Sequence, residues 1–296
     1  MITRLKKHVQ RRLHDFLKRA TISGTQASAK YSPLTKISQV QLYLYYQNLV
    51  KRGGPLPPLS TTGYRVFSQF DEDGMLFFLF AVLGAKTKTF VDIGSGDGIN
   101  SNCANLAINF GWHGLFIDGN PENIARGSSI YESHLDTWLY PPKFICAVVT
   151  RENINELIRA ADFEGEVDLL SVDIDGNDYW VWEALECIRP RVVIIETHVE
   201  FGHKSIVVPY DANYTYPGVH PDYHGASPVA MVKLAHTLGY RLVGANRFGF
   251  NTIYVQEDEG ADLIPEVSIE SILCHPRNKE CFNRFEAIKD MPYVHV

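Results

Sequence analysis

Short apolar blocks recur along the middle of this chain, and between them apolar residues return every three or four positions. The blocks lie at Phe90 to Ile93, Leu115 to Asp118, Phe144 to Val149, Val167 to Asp173, Val192 to Glu196, Arg241 to Gly244 and Thr252 to Val255. Rich in Val, Ile, Leu and Phe, most of them read as strands buried on both faces. Helical periodicity falls at about 101 to 110, 121 to 134, 152 to 162, 178 to 187 and 227 to 238. Five strands interleaved with helices, then two strands joined by a short connection, predict an α/β fold. Its sheet has seven strands, mostly parallel, with an antiparallel last strand.

The flanks carry different patterns. Over residues 1 to 21, Leu5, Val9, Leu13, Phe16 and Leu17 form one stripe while Arg4, Lys6, Lys7, Arg11, Arg12, Lys18 and Arg19 fill the other faces. Such a basic amphipathic helix lies on an anionic membrane surface, docks on a second copy as a homo-oligomer, or packs on its own domain. A Ser, Thr and Gly linker follows, then a helix over Ile37 to Lys51 that stops at Gly53-Gly54 and the Pro55 to Pro58 cluster. The apolar stretch Met75 to Leu83 reads as a further helix, too short to span a bilayer. The division expected is a helical extension over 1–60, the α/β domain over 61–256 and a partly helical tail over 257–296.

Composition narrows the setting. A net charge of −6, without a central basic patch, gives no general attraction for nucleic acid. The five cysteines are odd in number and mostly set in apolar segments, which suits buried thiols in a reducing cytoplasm. The first residues lack the apolar run of an export signal. A cytoplasmic protein is expected, peripheral to a membrane if the basic helix makes that contact.

The first strand runs into Gly94-Ser-Gly-Asp-Gly98, and Asp118 closes the second strand. This is how an open α/β sheet builds a nucleoside crevice. A dinucleotide fingerprint needs a glycine where this chain has Ile99. Between Thr89 and Ile124 there is no Lys or Arg, while Asp92, Asp97, Asp118 and Glu122 are acidic, so a pyrophosphate would be repelled. S-adenosylmethionine, cationic and free of phosphate, suits the loop, with Asp118 accepting its ribose hydroxyls. Candidate contacts are Asp92, Gly94, Ser95, Gly96, Asp97, Asp118 and Gly119. Gln69 and Asp73, ahead of the Met75 helix, either reach the ligand or cap that helix.

The fourth strand ends in Asp173, Asp175 and Asp178, acids that are costly together without a positive or protic partner. Two apart on a strand, Asp173 and Asp175 share a face, as do Glu196 and His198 after the fifth strand. Asp173, Asp175 and His198 are the candidate proton acceptors. Asp175 and Glu196 alternatively hold a divalent cation such as magnesium. A long insert from Phe201 to Ala226 is rich in Tyr, His, Asp and Asn. With Glu196, its Tyr223 and His224 are candidate contacts to a small-molecule or glycan acceptor, and the alternative is a packing lid.

Ser68-Gln-Phe-Asp-Glu-Asp-Gly74, Val91-Asp-Ile-Gly-Ser-Gly-Asp-Gly98, Gly114-Leu-Phe-Ile-Asp-Gly-Asn120, the stretch Asp168 to Trp180 and Arg189-Pro-Arg-Val-Val-Ile-Ile-Glu196 together resemble the FkbM-like group of class I S-adenosylmethionine-dependent methyltransferases. The resemblance covers roughly residues 64 to 256 and implies the Rossmann-like methyltransferase sheet. It also implies O-methylation of a sugar or related polyhydroxylated acceptor, with the donor on Gly94, Gly96 and Asp118. Two other readings are an NAD(P)-dependent oxidoreductase and a non-catalytic methyltransferase-like scaffold at a membrane or assembly.

Overall fold

The structure, a computed structural model, describes residues 33–296. The basic helix and linker expected before Pro33 lie outside the described residues. The chain divides into two units, the boundary falling between Leu44 and Tyr45. Helix α1 (Pro33–Lys51) begins earlier than its apolar pattern suggests, at a proline, which a first helical turn accepts because its N–H is not needed there. No described helix is long and apolar enough to cross a membrane.

Within the second unit the chain runs through α2 (Glu72–Leu83), β1 (Thr89–Ile93), α3 (Ala104–Phe110), β2 (His113–Asp118), α4 (Pro121–Ser133), β3 (Lys143–Cys146), α5 (Ile154–Ala160), β4 (Gly165–Val172), α6 (Asp178–Ala184) and β5 (Ile188–Glu196). There follow β6 (Ile206–Val207), α7 (Pro228–Thr237), β7 (Tyr240–Ala245), β8 (Asn251–Gln256), α8 (Ile269–Leu273), α9 (Asn278–Arg284) and β9 (Val294–His295). Seven strands form one sheet in the order β3-β2-β1-β4-β5-β8-β7. The strands from β3 to β5 are mutually parallel, and β8 is antiparallel to both its neighbours. The predicted α/β sheet with its antiparallel last strand is therefore the one observed.

Strand order reverses at β1, which has β2 on one side and β4 on the other. Register sets Ile93 beside Ile117 and Val172, so Gly94, Asp118 and Asp173 emerge together just past three adjacent carboxyl ends. In open α/β sheets this reversal leaves the ligand crevice. Alanine-sized or larger apolar side chains fill the layers around it: Val91, Leu115, Leu170 and Val193 are fully buried against α5, α6 and α7.

Two features go beyond the periodicity. Helix α2 starts at Glu72 rather than Met75, because the buried Glu72 carboxylate accepts from Asn246 and Asn251 on the β7–β8 hairpin, each at 2.9 Å. The segment after Gln256 is built into the unit: β9 pairs with β6 of the insert, and Phe201, Ile206, Tyr223, Phe285 and Ile288 share a small second core. At the opposite end of the strands Arg191, 1% exposed, bonds Asp168 at 2.7 Å and Glu259 at 2.8 Å.

Candidate active site

Two adjoining clefts open over the carboxyl ends of the strands, about 250 and 40 Å³ in volume, and Gly94 and Asp173 border both. The larger passes from Asp118 and Gly119 along Val148 and Val149 to Asp175 and Tyr214. The smaller is walled by Gln69, Asp92, Ser95, Asn102, Ser171 and Asn251. Among the described residues, neither lining contains a Lys, Arg or His, while Asp92, Asp118, Asp173 and Asp175 supply carboxylates.

Local bonding fixes this wall. The Gly94 and Ser95 N–H groups both donate to the Ile117 carbonyl, at 2.9 and 3.1 Å, which turns the chain sharply off β1. Gly94 has φ +80°, and a Cβ there would lie 1.7 Å from the Asp173 carbonyl oxygen. The backbones of β1 and β4 can meet at this point only because the residue is glycine. Asp118 ties the wall together: one carboxylate oxygen accepts from Gly96 N–H at 2.9 Å, the other from Asn120 N–H at 2.8 Å and Asn123 Nδ2 at 3.3 Å.

Asp92, at the end of β1, is buried, and its carboxylate accepts from the Ser101 hydroxyl. Burial lifts its pKa from 3.8 to about 6, with Asp118 adding a smaller push. A carboxyl with a raised folded-state pKa favours the folded state below its unfolded value and loses that contribution as pH rises through 6. Against Asp92→Asn, which does not titrate, the protein should therefore lose ground between pH 4 and 6. The gap should approach about 3 kcal/mol above that window, at 1.36 kcal/mol per unit. Urea unfolding of both proteins across this range checks it, and a gap independent of pH would refute the account.

Beyond β4 the chain bends. Asp178 accepts from the Ile174 and Gly176 N–H groups, both at 2.9 Å, and the turn so formed puts Asp175 at φ +55°. Asp tolerates this left-handed conformation better than most residues. Thus Asp173 and Asp175 do not share a strand face, since β4 stops at Val172. The turn nevertheless gathers carboxylate oxygens of Asp173, Asp175 and Glu196 within 4.8 Å of one another. Burial, then neighbouring acids, holds Asp173 and Glu196 well above the usual carboxylate range. Burial raises Asp175 as well, against the pull of His198. So many acids with no cation in the lining await a positive or protic ligand.

Gln69, Asp92, Gly94, Ser95, Asp118, Gly119, Asp173 and Asp175 border the clefts as the sequence suggests. Other expected contacts are spent elsewhere. Asp73 takes the N–H groups of Val66, Phe67 and Ser68 at 2.6 to 2.8 Å and so organises the loop ahead of α2; the N-cap position is Asp71, which makes no side-chain capping bond. Asp97 bonds Arg126 at 2.9 Å and the Ile99 N–H at 3.0 Å, and Gly96 gives its N–H to Asp118. His198 borders neither cleft: its Nε2 meets His224 Nδ1 at 2.9 Å and its Nδ1 faces Glu200 at 3.3 Å. Burial, with His198 alongside, holds the His224 pKa down at about 3. The Tyr223 hydroxyl donates to the Pro292 carbonyl. His224 and Tyr223 thus join the insert to its surroundings rather than lining the cleft.

Ala147, Val148 and Val149 were expected to continue β3, but the strand ends at Cys146 and they turn over the larger cleft. Asn102, Asn177, Asn251 and Tyr214 are lining residues that periodicity does not mark. Their sequence signals are slight: Asn102 precedes α3, Asn177 follows β4, Asn251 opens β8 and Tyr214 lies inside the long insert.

No protein-family profile matches this chain, and no curated protein does. Among solved structures, the bifunctional kinase-methyltransferase WbdD is 22% identical over 57% of this chain and 35% of its own, with a TM-score of 0.37. This chain therefore spans about a third of WbdD. Magnesium protoporphyrin IX methyltransferase from Synechocystis PCC 6803, with bound SAM, is 13% identical over 62% of this chain and 77% of its own, at a TM-score of 0.39. The methyltransferase domain of bacterial CtHen1 is 17% identical over 62% of this chain and 97% of its own, also at 0.39.

Proposed function

We propose that this chain is an S-adenosylmethionine-dependent methyltransferase that acts on a hydroxyl of a sugar or related polyhydroxylated acceptor. One observation carries the reading. The two adjoining clefts at the strand-order reversal, where such sheets take a nucleoside, are together lined by four carboxylates and, among the described residues, no cation. A nicotinamide or flavin dinucleotide would bring two phosphates against those acids. An adenosine ligand with an ammonium and a sulfonium would instead neutralise them.

Asp118 and the bare backbone at Gly94 would hold the nucleoside, and Gln69 and Asp92 the amino-acid end. When bound, this cofactor supplies an electrophilic methyl group. The protein's own work is to exclude water, align the acceptor oxygen and receive its proton. With His198 engaged by His224 and Glu200, that last role falls to Asp173 or Asp175, whose raised pKa values make them stronger bases once ionised. The sugar reading is supported by the exposed Tyr216 ring, 52% accessible on the insert that borders the cleft, since aromatic faces suit sugar rings. The Asp173, Asp175 and Glu196 oxygens could also chelate a divalent cation that orients two acceptor hydroxyls.

The test is a thermal-shift comparison of S-adenosylmethionine, S-adenosylhomocysteine and NAD. A ligand at about a hundred times its dissociation constant adds roughly 2.7 kcal/mol. Stabilisation by the first two and not by NAD is expected. Asp118→Ala should weaken that binding by at least tenfold, because charged hydrogen bonds of about 1.5–3 kcal/mol are lost. NAD binding with no response to the adenosyl ligands would overturn the reading. Magnesium and chelator arms in the same plate report on the cation, and methyl transfer from labelled donor to a glycan panel identifies the acceptor.

A further inference from the structure

The insert between β5 and α7 brings one side chain into the larger cleft, Tyr214. Its ring is slotted over two glycines: a Cβ on Gly176 would lie 2.4 Å from Tyr214 Cε1, and one on Gly218 2.7 Å from Cε2. Bulkier residues at either position would evict the ring. Two bonds staple this part of the insert to the turn after β4. Asn177 Nδ2 donates to the Asp211 carbonyl at 2.8 Å, and Gly225 N–H donates to the Gly176 carbonyl at 3.0 Å. These contacts fix where the tyrosine ring sits.

Its hydroxyl is nevertheless buried with no hydrogen-bond partner. Leaving such a group unmatched costs about 1–3 kcal/mol, and a phenylalanine would fill the same slot without that penalty. Burial, reinforced by Asp175, pushes the phenol up to about 12, so at neutral pH it keeps its proton and can donate. The same cleft is bordered by Asp118, Gly119 and Val148, at the ends of β2 and β3 where the nucleoside would lie.

We propose that Tyr214 is a donor-binding residue: its hydroxyl donates a hydrogen bond to the bound adenosine moiety, and the insert thereby supplies the cleft wall that the sheet does not. This rests on the methyltransferase reading above. Adenosine offers ring nitrogens and ribose oxygens as acceptors, whereas an ionised carboxylate can only accept. A tyrosine hydroxyl complements them.

The experiment is calorimetric titration of S-adenosylhomocysteine into the full chain and into Tyr214→Phe, with unfolding temperatures of both. Tyr214→Phe keeps the ring on its two glycines, so the unfolding temperature should be unchanged or slightly higher. Affinity should fall about five- to tenfold, the effect of one neutral hydrogen bond. If the unaltered chain binds and Tyr214→Phe binds equally well, the role given to Tyr214 is wrong and the methyltransferase reading stands. If the unaltered chain does not bind S-adenosylhomocysteine, the methyltransferase reading itself fails.

Discussion

Replacing Gly94 with alanine is expected to abolish S-adenosylmethionine binding and to lower the unfolding temperature by several degrees. The added Cβ would sit 1.7 Å from the Asp173 carbonyl oxygen, far inside contact distance, and that oxygen belongs to backbone rather than to a side chain that could swing aside. Neither partner is loose. Asp173 N–H donates to the Ile93 carbonyl at 2.9 Å, and Gly94 N–H to that of Ile117. Relief requires β1 and β4 to part at the crevice itself, in addition to about 1–2 kcal/mol for a left-handed alanine. Gly96→Ala is the control. Its φ is +57°, but a Cβ there meets nothing within 4 Å, so it should cost about 1 kcal/mol and retain donor binding. Titration calorimetry and circular dichroism melts of both variants decide the matter, and normal binding by Gly94→Ala would refute the placement of the donor.

Arg191→Ala should destabilise the protein by about 3–5 kcal/mol, the range for removing one partner of a buried ion pair. The guanidinium reaches the Asp168 carboxylate, the Glu259 carboxylate and the Gly84 carbonyl, all within 2.8 Å. Asp168 also gathers the N–H groups of Lys86, Thr87 and Lys88, so this cluster fastens β4, β5 and the chain entering β1. Without the arginine, a fully buried carboxylate keeps its amides but loses its countercharge. Urea unfolding would read the loss as a lower midpoint. Donor affinity of the folded fraction should stay unchanged, because Arg191 and Asp168 border neither cleft; a variant as stable as the parent would show the pair to be dispensable.

How much of this was legible in the residue pattern depends on what each residue needs in order to act. The Phe90 to Ile93 block, the glycines and Asp118 act through local backbone geometry, which sequence spacing encodes, and they stand where the pattern puts them. Alternation along a strand assigns faces only while the strand lasts. It failed for Asp175, which lies in a turn set by Asp178 after β4 has ended. The bonds that Tyr223 and His224 make to Pro292 and His198 were not legible, because those partners are distant in sequence and leave no periodic trace. Strands of two residues such as β6 and β9 are shorter than any alternation that could announce them.

The pairing of β6 with β9 also bears on the order in which the molecule can mature. Ile206 pairs across the small sheet with His295, far along the chain, so during synthesis the sheet and its acid-lined crevice can be assembled before this brace of the insert forms. Non-local pairings of this kind form late, after the cost of closing a long loop has been met. Firm seating of the insert would then follow the sheet in the order of folding.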